Sequence, residues 1–375
     1  MKFTVSRENL QDAFARAAPA SRANDAVLCQ ALLQTGPDGT TITATDHELE
    51  IRVSTDDKAD ERSRCCLPMR AVAGLCGTLS PDATVRLNVG GPDKGHRTQL
   101  SSGQARLSLV GTDPDAFPVI EDLGNTTQFR VPAQALYALL SFTHHAMAVK
   151  DVRYYLNGVS IERRGKSLTA AATDGHRLAV RVTDAVTDSG ENRDVIVPHK
   201  GANAMRDTLK HAEGDVLVEM SANHLRLTVG NTVLTTKLID GRFPDHRTAT
   251  PRFNNDERKA ITAPVEDMKV LLNRLSLLST EAITMTVGPE TLSACTHSTE
   301  DVGEVNDRIA VSCHGNPFEP FEIGVNRKYL QEALSAIDSE QVHLIFKDAE
   351  HPMLLTDDSK AQIKDAYCVI MPLRI

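Results

Sequence analysis

Asp174, His176 and Arg177 stand close enough to suggest acid–base chemistry, with an imidazole as general base steered by a nearby carboxylate. An i, i+2 pair in a strand or tight turn can share a side, so spacing permits such a dyad. What is missing is a nucleophile. Neither G-x-S-x-G nor H-E-x-x-H occurs, and Asp174-Gly175 has the composition of a turn leading into a strand that starts at His176 and Arg177. Cys295, His297, Cys313 and His314 match zinc ligands in residue type only, because adjacent Cys313 and His314 point to opposite faces of a strand. The stretch Gly90-Gly91-Pro92-Asp93-Lys94-Gly95-His96-Arg97 has the glycines of a phosphate cradle without a strand-to-helix setting, and reads as an extended hairpin. With no G-x-x-x-x-G-K-[ST] loop either, the expectation is a protein without catalysis, metal or cofactor.

These residues must be positioned by more than one core. The chain has 375 residues, 41% hydrophobic and 24% charged, a globular composition long enough for two or three domains. Its net charge of −9 repels polyanions unless charge is sorted by face. No apolar run approaches the about 18 residues of a membrane span, and Met1 to Leu10 lacks a basic stretch followed by an apolar one. Seven cysteines without a C-x-x-C pair read as reduced thiols. A cytoplasmic location is expected.

Internal repetition organises the sequence. Phe3-Thr4-Val5 precedes Leu10, Ala13, Phe14, Ala17 and Ala18, which share one helical face. Phe129-Arg130-Val131 leads through Pro132 to Leu136, Leu139, Leu140, Thr143 and Met147; Ala260-Ile261-Thr262 leads through Pro264 to Met268, Leu271, Leu272, Leu275 and Leu278. The prolines suit the first helical position, where a missing N–H is harmless. A second helix starts after Leu67-Pro68, Val197-Pro198 and Val325-Asn326, at spacings of 130 and 128 residues. Between helices, stretches such as His224 to Val229 and Gln341 to Phe346 alternate as half-buried antiparallel strands do. Each unit is α+β, with boundaries near 126 and 252, giving domains 1–126, 127–252 and 253–375. The predicted helices 7–18, 68–80, 132–150, 198–211, 264–278 and 325–338 together carry +4 and the remainder −13. A quasi-symmetric arc with a basic helical surface can close into a ring on dimerisation and surround a polyanion.

The segment Asp151-Val152-Arg153-Tyr154-Tyr155-Leu156-Asn157-Gly158, followed by Ala172-Thr173-Asp174-Gly175-His176-Arg177-Leu178-Ala179-Val180, resembles the bacterial DNA polymerase III beta subunit family, the sliding clamps. Asp240-Gly241-Arg242-Phe243-Pro244-Asp245 and Val369-Ile370-Met371-Pro372-Leu373-Arg374-Ile375 fit it as well. The resemblance implies three similar DNA-clamp domains per chain and a head-to-tail homodimer forming a six-domain ring lined by helices. Such a ring encircles duplex DNA without sequence specificity and tethers the replicative DNA polymerase. An ATP-dependent clamp loader and other polymerases and repair proteins, bound through short peptide motifs, are the further partners it implies.

Carried over by position, the DNA-binding candidates are Arg22, Arg70, Lys150, Tyr154, Tyr155 and Lys200. Strand alternation predicts that one of the two tyrosines is core. The implied peptide-binding groove comprises Leu156, Thr173, Gly175, His176, Arg177, Leu178, Pro244, Arg247, Val369, Ile370, Met371, Pro372, Leu373 and Arg374, an apolar wall with Arg177 and Arg247 orienting the guest. Pro352-Met353 is expected to form another wall. The sequence departs from the family at His246, where tyrosine is common, and at Thr248-Ala249, where a larger basic or aliphatic pair is usual. A multidomain peptide scaffold that never encloses DNA remains the alternative.

Overall fold

The computed structural model describes the chain except residues 1, 92, 94, 121–122, 189–190, 254–256, 279–280, 298–302, 315–316, 358–364 and 375, and the side chain of His297. The zinc reading at His297, part of the boundary loop after Arg252, Pro92 and Lys94 of the glycine-rich hairpin, and Ile375 thus lie outside the described residues.

One order of elements, β-α-βββ-β-α-βββ, occurs three times. The first repeat is β1 (Lys2–Ser6), α1 (Arg7–Ala17), β2 (Gln30–Gly36), β3 (Gly39–Thr45), β4 (Leu49–Thr55), β5 (Ser63–Pro68), α2 (Met69–Thr78), β6 (Thr84–Val89), β7 (Arg97–Ser102) and β8 (Ala105–Val110). The second is β9 (Thr127–Pro132), α3 (Ala133–Thr143), β10 (Gly158–Arg164), β11 (Ser167–Thr173), β12 (Arg177–Thr183), β13 (Arg193–Pro198), α4 (His199–Leu209), β14 (Asp215–Met220), β15 (His224–Val229) and β16 (Thr232–Lys237). A short helix α5 (His246–Ala249) comes before the third, which has β17 (Lys259–Pro264), α6 (Val265–Leu275), β18 (Ala282–Val287), β19 (Thr291–His297), β20 (Glu304–Ala310), an added β21 (Ser312–His314), β22 (Phe321–Asn326), α7 (Arg327–Ala336), β23 (Gln341–Phe346), β24 (Met353–Thr356) and β25 (Ala366–Ile370).

Local chemistry explains the helix starts. Ser6 caps α1 by accepting from Asn9 N–H at 3.0 Å, and Leu10, Ala13, Phe14 and Ala17 form its buried stripe. Asn326 caps α7 through Tyr329 N–H at 3.1 Å. Pro68 and Pro264 stand one residue earlier than the sequence suggested, at the N-cap positions of α2 and α6. Each ends a strand, where the absent N–H removes no ladder bond from a strand centre. The helix expected through Lys150 stops at Thr143 and tightens into a 3-10 turn, His144–Ala146.

The chain forms two compact units, residues 1–134 with 203–238, and residues 135–202 with 239–375, so the middle repeat contributes to both. In the first, sheets run β1-β6-β7-β8 and β5-β2-β3-β4-β16-β15-β14-β9. In the second they run β13-β10-β11-β12-β25-β24-β23-β17-β21 and β20-β19-β18-β22. Strand β4 pairs antiparallel with β16 and β12 with β25, so two sheets continue from one repeat into another. On one face of the nine-stranded sheet, Leu178, Val180, Leu354, Tyr367 and Val369 share a buried cluster with Ala171, Ala260 and Ile345, and Phe243 and Phe253 pack against it.

Gly158 allows close strand packing. A Cβ there would stand 2.2 Å from the Val197 carbonyl oxygen. Gly158→Ala should destabilise the fold by about 1–3 kcal/mol through overpacking, read as a lowered thermal midpoint.

All seven cysteines are free thiols. On β25, Cys368 Sγ lies 3.8 Å from His145 Nε2, and the buried Nδ1 of His145 has no hydrogen-bond partner among the described residues. Enclosure, then the Arg177 charge, lowers His145 from 6.5 to about 3, and enclosure pushes Cys368 up to about 12. The folded state keeps this imidazole neutral while the unfolded chain takes up a proton. Its contribution is therefore full above pH 6.5 and is lost progressively as pH falls toward about 3. His145→Gln should narrow the gap between thermal midpoints measured at about pH 7.5 and 4.5.

Candidate functional site

The turn between β11 and β12 is built by its own side chains. Asp174 Oδ1 accepts the N–H groups of His176 at 2.9 Å and Arg177 at 3.0 Å. Thr173 Oγ1 accepts Gly175 N–H at 3.1 Å and donates to the Arg177 carbonyl at 2.5 Å. Gly175 has φ +91°, and a Cβ there would meet Arg153 Nη1 at 2.8 Å. Glycine is therefore needed for its conformation, and the Arg153 guanidinium occupies the space a side chain would take. Asp174 is committed to the turn and to Arg177 rather than to orienting His176, so this trio forms no acid–base dyad.

Arg177 is nearly enclosed, with its side chain 10% exposed. Its Nε donates to Asp174 Oδ2 at 3.0 Å, its Nη1 pairs with Glu332 of α7, and its Cζ lies 4.3 Å from the Tyr329 ring centre. A buried guanidinium needs such partners. Arg177 thus ties the β11–β12 turn to α7 and could turn toward a guest only by breaking both ion pairs.

The expected groove residues separate into foundation and rim. Leu156, Leu178, Val369 and Ile370 are buried, whereas Gly175, His176, Pro244, Met371, Leu373 and Arg374 reach the surface, with Thr173 and Pro372 between. β12 and β25 bring the two halves together, pairing Leu178 with Val369 and Arg177 with Ile370. Beyond the strand, Met371 N–H donates to the His176 carbonyl at 2.9 Å and Leu373 N–H to that of Gly324 at 2.8 Å. Backbone bonds therefore hold Met371 and Leu373 in place while their side chains stay 44% and 36% exposed.

On the same side, Asp245 caps α5 by accepting Arg247 N–H at 3.1 Å. Arg247 Nη2 donates to Glu162 Oε2 at 2.9 Å and its Nη1 to Asp245 Oδ1 at 3.2 Å; Glu162 is the chief cause of its raised pKa. His246 turns inward, 5% exposed, and burial lowers its pKa. A cavity of about 400 Å³ opens between residues 247–253 and Lys347, His351 and Pro352. Pro352 lies on its wall, but Met353 is buried in β24.

The basic candidates divide between units. In the first, Arg22 is exposed just after a 3-10 turn ending at Ala20, and Arg70 is exposed in the opening turn of α2. In the second, Lys200 is half-buried in the first turn of α4, and Lys150 is exposed with φ +56°. Lys150 belongs to a braced loop, not a helix. Asp151 N–H donates to Asn157 Oδ1 at 2.9 Å, and Asn157 Nδ2 returns a 2.9 Å bond to the Asp151 carbonyl. Arg153 Nη2 spans Asp151 Oδ2 at 2.7 Å and the Asp174 carbonyl at 3.0 Å; its guanidinium pulls Asp151 down to about 2. Tyr154 and Tyr155 occupy a 3-10 turn, not a strand, with rings edge-to-face at 5.7 Å. Tyr154 is 57% exposed and Tyr155 half-buried, a division that comes from this turn rather than from strand alternation.

Tyr329 and Glu332 gave no sign in the sequence, since 155 residues separate Glu332 from Arg177. Among the described residues no three His, Cys, Asp or Glu side chains gather as a metal site. Cys295 lies in a different sheet from Cys313, and His314 packs its ring on His343 at 5.5 Å. No helix among the described residues is long and apolar enough to cross a membrane.

Three family descriptions match in order: the N-terminal domain of the DNA polymerase III beta subunit over residues 1–121, its central domain over 130–245 and its C-terminal domain over 252–374. The beta sliding clamp of Haemophilus influenzae is 32% identical, with both chains fully covered. The crystal structure of the DNA polymerase III subunit beta from Pseudomonas aeruginosa superposes with a TM-score of 0.91 at 29% identity, again over 100% of both chains. A second structure of the Pseudomonas aeruginosa sliding clamp, bound to griselimycin, gives 0.90 at 29% identity and the same coverage. Threefold element order, sheets continued by the β4–β16 and β12–β25 joints and similarity over the full length agree: the chain belongs to the DNA polymerase III beta subunit family, the bacterial sliding clamps.

Proposed function

We propose that two copies of this chain close head to tail into a six-domain ring around duplex DNA and act as the processivity factor of replication in the cytoplasm. The sheet pattern carries this reading. Strands β4, β12 and β20 hold the same place in their repeats, as do β8, β16 and β25. Within the chain β4 pairs with β16 and β12 with β25, while β20 and β8 end their sheets. An open edge is a template for another strand. Pairing β20 of one copy with β8 of the next repeats the internal joint, and doing so twice closes the assembly. Apolar side chains stand ready there: Val110 on β8 is 54% exposed, and Leu277, in the 3-10 turn packed on β20, is 75% exposed.

The repeats, bounded near residues 126 and 252, would line the ring with helices. Arg22, Arg70, Lys150 and Lys200, with Tyr154 and Tyr155, would meet phosphate and sugar without reading bases, so the ring can slide. The clamp performs no catalysis. It tethers the replicative polymerase, is placed on DNA by an ATP-dependent loader, and receives partner peptides in the groove around Leu178, Pro244, Arg247 and Met371. Micromolar affinity, about −8 kcal/mol, suits partners that must exchange.

Retention on a loaded circular duplex before and after one nuclease cut is the decisive test: survival on the circle with release after linearisation is expected, and retention indifferent to the cut would refute enclosure. Arg22, Arg70 and Lys150 changed together to Ala should weaken loading and retention while leaving peptide affinity nearly unchanged. Leu277→Asp should shift the protein from dimer toward monomer in analytical ultracentrifugation, with folding intact by circular dichroism.

A further inference from the structure

We propose that the cavity between α5 and the β23–β24 turn is an anion subsite, taking a carboxylate side chain of a peptide docked in the adjoining groove. This rests on the groove reading above and adds to it a chemical preference. Among the described residues the cavity wall carries Arg247, Arg252, Lys347 and His351 and no Asp or Glu. Their acidic neighbours are not among the lining residues: Glu162 at 2.9 Å and Asp245 at 3.2 Å from Arg247, Glu257 at 3.5 Å from Lys347 and Asp348 at 2.7 Å from His351. Arg252 is exposed and has no ion pair among the described residues. The cavity is thus walled by N–H donors while carboxylates stand behind them.

Arg247 and Lys347 are already offset by Glu162, Asp245 and Glu257, which leaves Arg252 as the unpaired cation among the described wall residues, so the site suits a single negative charge better than a doubly charged phosphate. Phe253 and Pro352 supply apolar wall, which limits hydration and strengthens a charge-assisted hydrogen bond. Small Thr248 and Ala249 leave the opening clear. Continuity with the groove is direct. Phe253 on the cavity wall and Phe243 beside Pro244 both pack on the cluster that contains Leu178 and Val369, and Arg247 borders both sites.

The test uses dye-labelled peptides with a Leu-Leu-Phe anchor, flanked on either side by Glu-Glu or by Gln-Gln, titrated against the full chain by fluorescence anisotropy. The Glu form should bind roughly three- to tenfold tighter, and Arg252→Gln with Lys347→Gln should erase that preference without changing affinity for the Gln form. Met371→Ala should weaken both forms alike. Equal binding of Glu and Gln forms by the native protein overturns the subsite and leaves the groove standing. A second readout, the His351 ring signals in NMR, separates the remaining cases. If neither peptide binds but acetate shifts those signals in the native protein and not in the double variant, the groove reading fails and the anion site stands. If only inorganic phosphate shifts them, the carboxylate assignment is overturned, and if neither anion does so and no peptide binds, both readings fall.

Discussion

Main-chain hydrogen bonding between the edges of neighbouring repeats is the constraint on which the structure depends. Each repeat brings two four-stranded sets, and each set would end in exposed N–H and C=O groups. The antiparallel joint from Leu49 to Val53 against Thr232 to Thr236 removes one such pair of edges. Arg177 to Arg181 against Ala366 to Ile370 removes the next. These joints also explain why the compact units divide the middle repeat: sheet continuity, not chain continuity, decides what packs with what.

The candidate groove residues are brought together by that second joint. Leu178 and Val369 become neighbours only because β12 and β25 pair, and Met371 takes its place because its N–H finds the His176 carbonyl. Side-chain chemistry then fixes the turn. Thr173 and Asp174 satisfy the backbone of Gly175, His176 and Arg177, and the Arg177 guanidinium fastens the result to Glu332 and Tyr329 of α7. A turn braced in this way has little conformational freedom left to lose.

The loop around Lys150 follows the same logic. Asp151, Arg153 and Asn157 brace it internally, and Arg153 reaches the Asp174 carbonyl, so loop and groove turn share one side chain. Apolar Val152, 96% exposed, and Tyr154 are held out from this frame. Arg153, legible in the sequence only as part of a short motif, is in the fold the link between two candidate binding surfaces.

The sequence by itself determined the threefold repetition and the helix and strand character of its elements, because periodicity and capping act over a few residues: the stripe Leu10, Ala13, Phe14 and Ala17 is legible without a structure. The family resemblance supplied the groove positions in the same way, from short contiguous motifs. Only the tertiary structure decided how those positions divide the work. Leu156 and Leu178 lie underneath while Met371 and Leu373 face outward, Arg177 is consumed by partners 3 and 155 residues away, and the two tyrosines share a 3-10 turn. Such assignments depend on which strand edges meet and on which distant carboxylate lies beside a buried cation, and neither is encoded in local spacing.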